Sequence, residues 1–159
     1  MPYLVIALIA LATAAISALM VRSGLKWARS LRIPDWSPSP RSLLASWAVL
    51  LALAALSAVF AWNAMQPHEH PRLIAVYVIN AFLNAAWCYL FFVRHQMGSA
   101  TLEAALLAIA VAVIVLDVIE ASVIAAILVL PLFVWALFGM YLTLTIFRMN
   151  VSGRGGGDV

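Results

Sequence analysis

The chain has 159 residues, of which 67% are hydrophobic and only 9% charged, with a formal net charge of +3. Soluble domains carry about 25% charged residues, so this composition excludes a water-soluble fold. The positive excess does not point to nucleic acid either, because no basic residues interleave with stacking aromatics in a polar segment.

Five apolar segments fill most of the chain: Tyr3–Val21, Leu43–Trp62, Leu73–Val93, Thr101–Val118 and Val123–Phe147. As helices, each can cross a hydrocarbon core of about 30 Å. A closed barrel is the other spanning solution, but it needs short strands of alternating polarity, and runs such as Ala104–Leu116 do not alternate. The sequence predicts an all-α membrane protein, a five-helix transmembrane bundle formed by residues 1–150 and followed by a disordered, glycine-rich tail at 151–159.

The first segment carries an Ala10-Leu11-Ala12 pattern that suits a signal-peptidase site. A signal peptide has its positive charge before the apolar stretch, whereas the first basic residue here is Arg22, after it. The segment is therefore expected to stay as a span. The loop that follows, roughly Arg22–Ser42, is the longest polar stretch and too short to bury a core of its own. In the next loop, His68 and His70 flank Glu69 between two prolines, which reads as a short solvated turn rather than a metal site.

The third span carries Asn80, Asn84 and Cys88 at four-residue spacing, with Trp87 and Phe91 beside them. Amide groups in hydrocarbon must find partners, so this face is expected to look into the bundle. Cys88 is the only cysteine, which rules out an intrachain disulfide. Glu103 is expected in the first turn of the fourth span, where a carboxylate suits the helix dipole and reaches the interface. Asp117 and Glu120 are expected in the turn before the fifth span. A proton- or cation-coupling role is the alternative for these acids.

Trp47 and Trp135 lie several residues inside their spans, deeper than an interfacial belt. Pro131 is expected to kink the fifth helix and open space beside Trp135. Two readings of the indoles and amides stand open: interhelical packing, or a cavity for a flat, largely apolar ligand. Alanines four apart, as in Ala104/Ala108/Ala112, permit close helix packing or a dimer contact.

Loop charge gives the orientation. With five spans, Arg22, Lys26, Arg29, Arg32, Arg41, Arg94, Arg148 and Arg154 share one side, and Arg72 alone lies on the other. Positive charge is retained on the cytoplasmic side, so the N-terminus is expected outside and the C-terminus in the cytoplasm. A bacterial inner membrane fits this asymmetry. The chain contains no Gly-rich phosphate loop, nucleophile elbow or paired metal-binding cysteines.

An ordered series runs through the sequence: Pro34-Asp35-Trp36-Ser37-Pro38, Trp47, Asn84-Ala85-Ala86-Trp87, Phe91-Phe92, Glu103, Pro131, Trp135 and Arg148-Met149-Asn150. In order and spacing it resembles the tryptophan-rich sensory protein/translocator protein family (TspO/MBR), over about residues 30–150. The resemblance implies a bundle, often dimeric, with a pocket toward the first loop. It implies ligands such as protoporphyrin IX, benzodiazepine-type compounds and, in mitochondrial members, sterol. Carried over by position, the pocket would use Trp36 as part of a lid, then Trp47, Leu51, Asn84, Trp87, Phe91, Trp135 and Gly139. Indole faces would stack on the ligand and Asn84 would hydrogen-bond it. Arg32 and Arg41 would meet porphyrin propionates.

The family's tyrosines are replaced by Leu51 and Leu132, and a late asparagine by Thr143, which makes this pocket more apolar. A cholesterol-type motif fails, since six residues separate Tyr141 from Arg148. The expected function is a receptor or carrier for a porphyrin-like ligand, with no required cofactor and with lipid and a second copy as partners. The alternatives are a light-dependent porphyrin-degrading enzyme and a small proton-coupled exporter.

Overall fold

The computed structural model describes residues 2–151. Among these residues, five helices are long and apolar enough to span a membrane. They are α1 (Pro2–Ala28), α2 (Pro40–Ala64), α3 (His70–Cys88), α4 (Met97–Ile119) and α5 (Val123–Val151), and a π-helical turn, Tyr89–Val93, continues α3. The expected tail lies outside the described residues, except Val151, which closes α5.

Helix limits follow local chemistry. Ser39 accepts a hydrogen bond from the Ser42 amide at 3.2 Å, just ahead of Pro40 in the first turn of α2, and Ser122 does the same for Ala125 at the start of α5. In the α2–α3 turn, the Glu69 carboxylate accepts from the Gln66 amide at 2.8 Å. After the π turn, His95 takes the left-handed conformation with φ 57°, which reverses the chain into α4.

Packing places the helices in the ring order α1–α2–α5–α4–α3, with only sparse contact between α2 and α3. The α1–α2 and α3–α4 connections and the C-terminal end of α5 lie at one end of the bundle, with most of the arginines. The N-terminus and the other two turns lie at the opposite end. There Arg72 is paired with Asp117 at 2.7 Å, which ties α3 to α4. Ser57 joins three helices at that end: it donates to the Ala125 carbonyl at 2.7 Å and shares a 2.8 Å hydrogen bond with the Tyr77 hydroxyl.

At the arginine-rich end, α1 meets the π turn almost backbone to backbone. A Cβ at position 24 would collide with the Phe92 carbonyl oxygen and lie 2.7 Å from its Cα, so the contact requires Gly24. One turn on, Trp27 stacks on His95 at 4.1 Å and meets the Phe91 edge at 5.5 Å.

Several expectations are corrected. The α1 helix continues seven residues past Val21, to Ala28, because basic side chains at a membrane boundary can turn to water without ending the helix. His70 is not in a solvated loop: it opens α3 and stacks on Trp62 at 3.8 Å. The α4 helix begins at Met97, which puts Glu103 beyond the first turn and 6% exposed, with both carboxylate oxygens buried and unpartnered. Asp117 belongs to α4 rather than to the turn after it.

Candidate functional site

The polar face of α3 does look inward. Asn80 is buried, Cys88 is fully buried, and Asn84 accepts a 3.3 Å hydrogen bond from Ser17 of α1. Two turns of helix carry Asn80, Asn84 and Trp87 along one stripe. Opposite that stripe lie Trp47 and Leu51 of α2, and Trp135 and Gly139 of α5. Together they enclose a cavity of about 50 Å³, completed by Ala104, Leu107 and Val111 of α4.

Six of the eight expected site residues thus share one cavity: Trp47, Leu51, Asn84, Trp87, Trp135 and Gly139. Phe91 does not line it. Instead it is buried behind Trp87, stacked at 5.6 Å, and belongs to the aromatic core at the arginine-rich end. Trp36 lies outside, stacked on Tyr141 at 5.5 Å and edge-on to Phe138. Phe138 in turn meets Trp135 at 5.3 Å, so the loop tryptophan reaches the cavity through one intervening ring.

The loop is fastened to α5 by Asn150. Its Oδ1 accepts from the Arg32 amide at 3.0 Å, and its Nδ2 donates to the Arg32 carbonyl at 2.9 Å and to the Ile146 carbonyl at 2.8 Å.

The chain's TspO/MBR family-model match spans residues 4–149, nearly all of this architecture. The chain belongs to the TspO/MBR family. It is 31% identical over 126 residues to the membrane protein YtaB of Bacillus subtilis, covering 79% of this chain and 81% of that one. It is 26% identical over 124 residues to the tryptophan-rich protein TspO of Bacillus cereus, covering 78% and 80%. Identity to the translocator protein of Sus scrofa is 28% over 135 residues, covering 84% and 80%. As a TspO/MBR protein with five spanning-length helices, it is an integral membrane protein.

In this TspO/MBR chain the cavity lining is mostly apolar. Leu51 and Leu132 fill positions that the family resemblance assigned to tyrosine, and both line it. The third departure, Thr143, does not: its hydroxyl donates to the Gly139 carbonyl at 2.7 Å, within its own helix. The Trp87 indole N–H and the Asn80 carbonyl oxygen are buried without a partner, one a donor and the other an acceptor. Among the lining residues, sequence reasoning missed Leu50, Ala104, Leu107, Val111, Ala136 and Met140, which carry no signal for a site beyond being small or apolar. Asn80 had one, its four-residue spacing from Asn84.

Proposed function

We propose that this TspO/MBR protein is a receptor or carrier that binds a flat hydrophobic ligand of the tetrapyrrole class among its tryptophans, to sense or move it rather than convert it. The observation that carries the reading is the convergence of Trp47, Trp87, Trp135 and Asn84, from three helices, on one cavity. Indole faces offer broad apolar contact to a planar ring, and the free Trp87 N–H and Asn80 oxygen offer hydrogen bonds. Ligand sites run to about 300–1,000 Å³, so a 50 Å³ cavity must widen on binding. The loop held by Asn150 and Trp36 is the element placed to move. With the arginine-rich end in the cytoplasm, this lid faces the cell interior, and Arg32 and Arg41 stand near it for anionic groups. The setting proposed is a bacterial inner membrane, with surrounding lipid and a second copy of the chain as partners.

Titration of protoporphyrin IX into detergent-solubilised protein, followed by tryptophan quenching, tests this reading. Saturable micromolar binding, weakened about tenfold by Trp135→Phe with Asn84→Ala, is expected from loss of a ring contact and a hydrogen bond. Wild-type protein that shows no saturation refutes it. Illumination of the same samples tests the enzymatic alternative, which requires light-dependent porphyrin loss that Trp135→Phe abolishes.

One observation favours proton-coupled export as a second reading. Glu103 is a buried carboxyl without a partner in a spanning helix, and such groups mark proton or cation pathways. Transport that survives Glu103→Gln would sink it.

A further inference from the structure

The tryptophan cavity is small, about 50 Å³. Every residue lining it is buried or half-buried, and none is exposed. Beside it lies a larger space of about 220 Å³ between α1, α2 and α3, where α2 and α3 touch least. This space is walled by residues such as Ile9, Ala58 and Ile74, and it sits toward the end of the bundle that bears the N-terminus. Unlike the cavity, it has exposed residues on its rim: Val5 is 53% exposed, Ile74 49% and Val78 44%. On a membrane-spanning bundle, such a rim faces hydrocarbon.

The two spaces share a wall. Leu51, Asn80 and Asn84 line both. Each side chain in this partition has a way to move. Leu51 is held by packing alone, Asn84 by one long hydrogen bond of 3.3 Å to Ser17, and the Asn80 oxygen is buried with no partner to give up. A displaced Leu51 would join the spaces into one passage from lipid to the tryptophans.

We propose that the space between α1, α2 and α3 is a second binding chamber, open sideways to the membrane, through which the ligand passes across Leu51, Asn80 and Asn84 into the tryptophan pocket. This rests on the tryptophan pocket being a ligand site. The chamber's chemistry defines what can travel. Its walls carry no basic or acidic side chain, so an ionised group finds no counter-charge there. The passage therefore takes a neutral, narrow or planar apolar molecule, with at least one hydrogen-bond donor for the Asn80 oxygen. Charged molecules are left to the lid at the arginine-rich end.

The test uses the whole protein in lipid vesicles, with protoporphyrin IX dimethyl ester, a neutral planar pyrrole N–H donor, dissolved in the bilayer. Ala81 and Ala55 line the chamber but not the tryptophan pocket, so Ala81→Phe and, as a second variant, Ala55→Leu obstruct the passage alone. The expected result is quenching of the same final depth, reached at least about tenfold more slowly, as when access to a site needs an added conformational change. Wild-type rates in both variants overturn the side passage. If rates are unchanged and brominated acyl chains quench tryptophan in a way that Ala81→Phe relieves, the chamber holds a lipid chain, and the proposal fails in that form. If the wild type gives no saturable quenching with either the ester or the free acid, the pocket reading itself fails and the passage falls with it.

Discussion

Replacing Gly24 by alanine sets two effects of opposite sign against each other. Helix propensity alone favours the change by about 1 kcal/mol, since glycine is the poorer helix former. Sterics oppose it. The new Cβ would lie 2.7 Å from the Phe92 Cα, and ordinary contact begins near 3.4 Å, so α1 must retreat by at least about 0.7 Å, and further to clear the carbonyl oxygen. The obstacle is backbone, which cannot swing aside as a side chain would. Overpacking of this kind costs about 1–3 kcal/mol, and an unyielding neighbour puts it at the upper end, leaving a net loss of about 2 kcal/mol. Retreat of α1 also loosens the Trp27–His95 stack one turn away. Unfolding in mixed micelles with increasing SDS, followed by tryptophan fluorescence, measures the difference. Gly24→Ala is expected to unfold at lower SDS than the wild type. Stability equal to or above the wild type would refute the close-approach argument and leave propensity as the deciding effect.

Ser57→Ala removes hydrogen bonds to Ala125 and Tyr77 and should destabilise by about 1–2 kcal/mol in the same assay, whereas Tyr77→Phe, which leaves the Ala125 bond intact, should cost less. No difference between the two would contradict the three-helix role of Ser57. Asn150→Ala should release the first loop without weakening the bundle, seen as faster amide exchange at residues 30–37 with an unchanged SDS midpoint. Unchanged exchange would mean that the Trp36–Tyr141 stack holds the loop unaided. Glu103→Leu removes an unpartnered buried carboxyl and should stabilise by about 1–3 kcal/mol. A clear loss of stability would show that the carboxyl has a partner in the membrane.

Much of the architecture is written in one-dimensional pattern. A span must be long, apolar and internally hydrogen-bonded, so five such stretches dictate five helices whatever their neighbours are. The inward face of α3 was legible for the same reason: Asn80, Asn84 and Cys88 recur at helical spacing, and hydrocarbon does not tolerate lone amides. The ordered tryptophans and asparagine identified the family and the aromatic and amide part of the cavity wall, Trp47, Asn84, Trp87 and Trp135.

Other features depend on which helices meet. Glu103 reads as interfacial from its place near a span's start. It is buried because α4 begins four residues earlier than hydropathy suggests and because its neighbours close over it. Nothing about Gly24 in the sequence reveals the Phe92 backbone lying against it, and Ser57 is one small residue among alanines until Tyr77 and Ala125 arrive from other helices. The two spaces that share Leu51, Asn80 and Asn84 exist only because α2 and α3 pack sparsely while α1 leans across them. Hydrophobicity and helical period decide how many spans there are and which faces turn inward, because the bilayer acts on each helix separately. Where a carboxyl is buried, where backbones touch and where space is left are properties of the ring of helices, since each depends on side chains distant in sequence.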